Sequence, residues 1–206
     1  MSDYNLTIIW LSLGAYLLGS IPSGLIIGKL FFNTDVRQYG SKNIGATNTY
    51  RVLGMKAALP VFLADAAKGM AGVWLFSPDQ NLMLLGGILA MVGHNWSVFL
   101  GFKGGRGVAT GLGVLIFLVP LTSAICFAVW AVIVALTKYV SLGSIVGAAL
   151  VPILMFVFDE PLWYIVFGFV AALFVILRHR ENIMRLLKGT ELKVERTETD
   201  KDHASH

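Results

Sequence analysis

The residues best suited to chemistry lie in Gly40-Ser41-Lys42-Asn43-Ile44-Gly45-Ala46-Thr47-Asn48-Thr49, a run of small and hydrogen-bonding side chains in an otherwise apolar chain. Two glycines let the backbone approach a ligand closely, hydroxyls and amides offer neutral donors, and Lys42 and Arg51 supply charge. A loop of this kind leading into a helix would aim unpaired backbone N–H groups at a phosphate or carboxylate. It departs from the nucleotide-binding P-loop, because Gly40-x4-Gly45-Ala46-Thr47 carries alanine where the phosphate-gripping lysine belongs. A nucleotide triphosphatase of that type is excluded. An ordinary Gly/Asn connecting loop is the competing reading.

Other patches share its character. Gly19-Ser20-Ile21-Pro22-Ser23-Gly24 precedes it. Gly93-His94-Asn95-Trp96 leads to Phe102-Lys103-Gly104-Gly105-Arg106-Gly107-Val108-Ala109-Thr110, where two cations flank paired glycines before a helix start. Ser141 and Ser144, in Tyr139-Val140-Ser141-Leu142-Gly143-Ser144, share one helical face, and Arg178-His179-Arg180-Glu181-Asn182-Ile183 follows the last apolar run. Each has a structural account by itself. Lys103 and Arg106 could be membrane anchors, Arg178 and Arg180 could meet anionic headgroups, His94 could be interfacial, and Ser141 could cap a helix. Their recurrence on one side of the bilayer argues for a phosphate-binding pocket.

Asp65 and Lys68, spaced i, i+3 within an apolar run, could pair as a structural or supporting element, since charges inside a membrane are expensive and face the protein interior. No metal or other cofactor is expected: the cytoplasmic patches hold no His-Glu-x-x-His and no clustered carboxylates. The His-x4-Asp dyad of soluble-type glycerolipid acyltransferases is absent too, because Phe99 and Met184 stand at that offset from His94 and His179. Any transfer chemistry must therefore rest on positioning, electrostatics and an already activated donor.

The elements that hold these patches are apolar helices. The chain has 206 residues, 56% hydrophobic and 14% charged, and a mean hydropathy of +0.74, which places it in a bilayer. The net charge of +4 gives no ground for a nucleic-acid partner, because the basic residues cluster at the ends of apolar segments. Met1-Ser2-Asp3-Tyr4 lacks a basic leader, so the first apolar run is expected to remain as a span. Lone Cys126 excludes an intrachain disulfide.

Apolar runs fall at about Leu6–Phe32, Met55–Phe76, Leu82–Leu100, Val108–Val119, Leu121–Thr137, Leu142–Phe158 and Leu162–Leu177. Splitting Val108–Thr137 at Pro120 puts Arg37, Lys42, Arg51, Lys103, Arg106, Lys138, Arg178, Arg180, Arg185 and Lys188 on one side, as the positive-inside rule requires. The expectation is an all-α integral membrane protein with seven transmembrane helices, N-terminus outside and C-terminus cytoplasmic. Residues 1–189 would form one transmembrane domain, and 190–206 a charged, disordered cytoplasmic tail.

In order and over most of the chain, these motifs resemble the bacterial acyl-phosphate:glycerol-3-phosphate acyltransferases of the inner membrane, the PlsY family. The resemblance covers the first span to about Gly189 and departs at Lys42, where many members have glycine. It implies acyl transfer from acyl phosphate to the 1-hydroxyl of glycerol 3-phosphate, giving lysophosphatidic acid and phosphate, the first acylation of bacterial phospholipid synthesis. It further implies a multi-pass protein of the cytoplasmic membrane with its active site on the cytoplasmic side, and makes the enzyme that produces acyl phosphate a candidate partner; a monomer is the expectation for the chain itself. By the same resemblance, Ser41, Asn43, Arg51, Lys103, Ser141, Ser144 and His179 would be catalytic. Ser23, Gly45, Ala46, Thr47, Asn48, His94, Asn95, Gly104, Gly105, Arg106, Arg178 and Arg180 would bind substrate. The rival class, a small anion transporter, would want its site near the bilayer midplane with access from both sides; here the charges crowd one face.

Overall fold

Proline, glycine and buried polar residues set where the apolar runs break. The computed structural model describes residues 3–194, which contain helices and no strand. They divide into two compact units, one up to Leu118 and one from Val119, and each is described by itself.

In the first unit, the run expected as a single span from Leu6 to Phe32 is two helices, α1 (Asp3–Ser20) and α2 (Ser23–Phe32), bent by 47° where Ile21 and Pro22 interrupt them. The interruption frees backbone carbonyls that must be satisfied inside the protein. Ser97 Oγ donates to the Ser20 carbonyl at 2.5 Å and Lys68 Nζ to that of Ile21 at 2.9 Å. A short helix, α3 (Ala46–Leu53), runs into α4 (Met55–Trp74) through Gly54, and α5 (Gln80–Asn95) and α6 (Val108–Leu118) follow.

Small residues bring these helices together, as is usual where lipid supplies no hydrophobic drive for helix association. A Cβ at Gly19 would run into Ala90 of α5, one at Gly113 into the Ala66 carbonyl of α4, and one at Gly72 would sit 2.6 Å from Ala90 Cβ. Beside this packing, Val36, Val52, Leu53 and Ala57 form a buried cluster flanked by Ile27, Phe32 and Tyr39. That cluster seats α3 and the loop before it.

In the second unit, the expected break at Pro120 is present: α7 (Pro120–Thr137) begins on that proline, whose missing N–H costs nothing at a first helical position. Then come α8 (Val140–Val157), α9 (Leu162–Arg178) and α10 (Arg180–Leu187), the last two bent by 58°. The charged α10 lay outside the expected apolar runs.

The expected disordered tail needs correction at its start. Thr190 N–H bonds to the Arg185 carbonyl at 2.8 Å, Val194 N–H to that of Lys138 at 2.8 Å, and Glu191 is 7% exposed. Residues 195–206 lie outside the described residues. By length and composition, Gln80–Leu100, Pro120–Thr137 and Val140–Val157 can each cross a membrane, and the two bent pairs raise the number of possible spans to five.

Candidate functional site

The loop between α2 and α3 is built from its own side chains. Asp35 opens a 3-10 turn by accepting the Arg37 N–H at 3.0 Å and pairs with the Arg37 guanidinium at 2.6 Å. The hydrogen-bonded Arg37 side chain holds the Asp35 carboxyl down at about 2, against the opposing effect of burial. Gly40 and Lys42 take positive φ values of 56° and 57°, folding the chain back so that Ser41 faces α3. Ser41 donates both its N–H and its hydroxyl to Asn48 Oδ1, at 2.7 and 3.1 Å. Asn43 Oδ1 accepts the Gly45 N–H at 2.8 Å, just before α3 begins.

Ala46 and Thr47 hold the first two positions of α3, where backbone N–H groups have no intrahelical partner, so this end of the helix is suited to an anion. Arg51 lies one turn further along and is 7% exposed. Ser23 is buried at the start of α2, and a Cβ at its neighbour Gly24 would collide with the Ile44 carbonyl, so α2 sits directly on the loop. The structure thus gathers Ser41, Asn43, Gly45, Ala46, Thr47 and Asn48 around one helix start, with Asn48 turned inward.

A second loop is fastened to the end of α5. Gly104 N–H donates to the Asn95 carbonyl and Gly105 N–H to that of His94, both at 3.1 Å, while Asn95 Nδ2 donates back to Met91 O at 2.8 Å. Gly107 has φ +79°, and a Cβ there would lie 2.8 Å from Asn95 Nδ2. Lys103 is exposed and Arg106 half-buried on this loop. Beneath it, Lys68 Nζ lies 2.8 Å from Asp65 Oδ1, and His94 Nδ1 lies 3.8 Å from the same oxygen. All three are buried. Because Lys68 also bonds Ile21 and Gly105 bonds His94, this charged group joins the break between α1 and α2 to the glycine loop.

In the second unit, Ser141 Oγ donates to Glu191 Oε1 at 2.8 Å, Asn182 Nδ2 donates to the same oxygen at 2.5 Å, and Arg185 Nε donates to Oε2 at 2.7 Å. Burial pushes the Glu191 carboxyl up, but the hydrogen bonds from Asn182, Ser141 and Arg185 outweigh it and hold the carboxyl below the ordinary value. Ser141 therefore does not cap α8, which starts at Val140 with Tyr139 before it. Ser144 Oγ donates to the Val140 carbonyl at 2.9 Å. His179 Nδ1 lies 2.8 Å from the Val175 carbonyl; a carbonyl only accepts, so Nδ1 carries a proton. Arg178 is half-buried and Arg180 exposed around it. Sequence reasoning missed Glu191, Arg185 and the bond made by Asn182. A lone glutamate after Gly189-Thr190, beyond every apolar run, offers no periodic or motif signal.

Comparison with known proteins converges on one description. The family profile described as glycerol-3-phosphate acyltransferase matches residues 9–189. A glycerol-3-phosphate acyltransferase of Fusobacterium nucleatum is 46% identical over 181 residues, covering 86% of this chain and 93% of the relative. Glycerol-3-phosphate acyltransferase 2 of Moorella thermoacetica is 48% identical, covering 87% and 94%. Among solved structures, PlsY (YgiH), an integral membrane glycerol 3-phosphate acyltransferase, superposes in its glycerol 3-phosphate form with a TM-score of 0.84 at 40% identity, covering 90% of this chain and 94% of that one. Its lysophosphatidic acid form gives 0.82 at 39% identity, with the same coverage.

Proposed function

Because the chain belongs to the glycerol-3-phosphate acyltransferase family and is an integral membrane protein, we propose that it transfers a fatty acyl group from acyl phosphate to the 1-hydroxyl of glycerol 3-phosphate. The products are lysophosphatidic acid and inorganic phosphate. The observation that carries this reading is the start of α3, where Asn48 and Asn43 brace the loop by accepting from Ser41 and Gly45 and the N–H groups of Ala46 and Thr47 have no intrahelical partner, an arrangement suited to a phosphate without any cationic P-loop lysine.

In the proposed reaction the 1-hydroxyl oxygen attacks the acyl carbon, the bond from that carbon to the phosphate oxygen breaks, and a phosphate oxygen takes the hydroxyl proton. A mixed anhydride needs no enzymic nucleophile, so preorganised donors and cations suffice to stabilise the charge that develops. Ser41, Asn43, Gly45, Ala46 and Thr47 hold the acyl-phosphate headgroup. Arg51, Lys103, Ser141 and Ser144 serve glycerol 3-phosphate, and Ser23, His94, Asn95, Gly104, Gly105, Arg106, His179, Arg178 and Arg180 support the two substrates. The protein works as a monomer with seven spans in a bacterial cytoplasmic membrane, N-terminus outside, chemistry on the cytoplasmic side, and residues 1–189 as its catalytic domain.

The test is phosphate release by detergent-purified protein given palmitoyl phosphate, with and without glycerol 3-phosphate and without added metal. Release that depends on glycerol 3-phosphate and is matched by lysophosphatidic acid is expected. Its absence from folded protein across several acyl lengths would overturn the reading.

A further inference from the structure

One side chain in the first loop has no polar capacity left for a substrate. Asn48 is 1% exposed at the third position of α3. Its Oδ1 accepts from both Ser41 N and Ser41 Oγ, at 2.7 and 3.1 Å. Its Nδ2 donates to the carbonyls of Val36 at 2.8 Å, Asn43 at 2.9 Å and Tyr39 at 3.2 Å. A side-chain amide has two N–H donors and two acceptor lone pairs, so these bonds saturate it.

The carbonyls it gathers come from the 3-10 turn, from the residue that follows that turn, and from the middle of the loop, points that no helix or sheet ladder joins. Gly40 leaves room for this arrangement, since a Cβ there would lie 2.5 Å from Asn48 Oδ1. Without Asn48, the carbonyls of Val36, Tyr39 and Asn43 would lose their shared donor and Ser41 would lose the acceptor that fixes its rotamer.

We propose that Asn48 is the positioning residue of the acyl-phosphate loop: it does not touch substrate, and through Ser41 it sets the conformation in which Asn43 and the N–H groups that open α3 meet the donor headgroup. This rests on the function proposed above for that loop. The expectation that Asn48 itself contacts substrate is thereby replaced.

The decisive experiment measures both Michaelis constants for full-length wild type, Asn48→Asp and Asn48→Ala. Asn48→Asp keeps the shape and the acceptor for Ser41 but turns an oxygen toward three carbonyls. A displaced loop should raise KM for acyl phosphate by about 10- to 100-fold and leave KM for glycerol 3-phosphate within about 3-fold, since misplacement near 1 Å is costly to binding and catalysis. A merely structural residue would lower the active fraction, hence Vmax, with both constants unchanged; that result, or kinetics like wild type, would overturn the proposal.

Hydrogen exchange at the Ser41 amide of the wild type decides the matter should neither variant fold. Protection is expected, and exchange at the rate of an open loop would overturn it. Wild type that fails to use acyl phosphate would sink the proposed function instead, and the exchange measurement would still judge the bracing.

Discussion

The charged pair inside α4 allows a quantitative test of what holds the two loops together. Lys68→Met removes an ammonium 2.8 Å from Asp65, which is 2% exposed, and leaves a buried carboxylate without its cation. Breaking a buried pair from one side costs about 3–5 kcal/mol. Asp65→Asn leaves Lys68 buried with the Ile21 carbonyl as a remaining partner at 2.9 Å, a loss at the lower end of that range.

The double variant Asp65→Asn/Lys68→Met buries no uncompensated charge. Its residual cost is one of the two hydrogen bonds to the Ile21 carbonyl, which keeps the Ser23 N–H at 3.0 Å, a loss of about 0.5–1.5 kcal/mol. The two substitutions should therefore couple by at least about 2 kcal/mol, with the double variant more stable than the sum of the singles predicts. Denaturation of the purified protein in detergent, scored by retained acyltransferase activity and by helical content, gives all four corners of the cycle. Additive losses would refute the reasoning, because they would mean that each charge is satisfied elsewhere.

Three shorter predictions concern the loops and the segment after α10. Lys42 has φ +57°, a conformation that costs a residue bearing a Cβ about 1–2 kcal/mol, so Lys42→Gly should be tolerated or slightly stabilising in thermal denaturation, whereas Lys42→Val should lose stability. Gly107→Ala combines φ +79° with a contact 2.8 Å from Asn95 Nδ2 and should raise KM for glycerol 3-phosphate by about 10-fold or more, read in steady-state kinetics. Glu191 has its carboxyl held below the ordinary value in the fold, so the stability it adds is present above the unfolded value and disappears as pH falls through the lower folded one. Melting temperature followed from about pH 6 to about pH 3 should drop less steeply in Glu191→Gln than in wild type, while the variant starts lower at neutral pH.

How much of this molecule was legible in advance depended on the range of the interaction. The apolar runs, the break at Pro120 and the tight backbone of the loop at Gly40 follow from local composition, because hydropathy, a missing N–H and φ freedom act within a few residues.

Long-range partners were not. The bend that splits Leu6–Phe32 needs Lys68 and Ser97, distant in sequence, to satisfy the carbonyls of Ile21 and Ser20. Asn48 reads as one more loop amide until the fold brings Val36, Tyr39 and Ser41 around it. Glu191 reads as a tail charge until Ser141, Asn182 and Arg185 close on its carboxylate. Residue types alone determined that this chain would live in a membrane. Which side chains remain available for substrate and which are spent holding the loops was decided only by tertiary structure, since hydrogen-bond capacity is finite and distant groups compete for it.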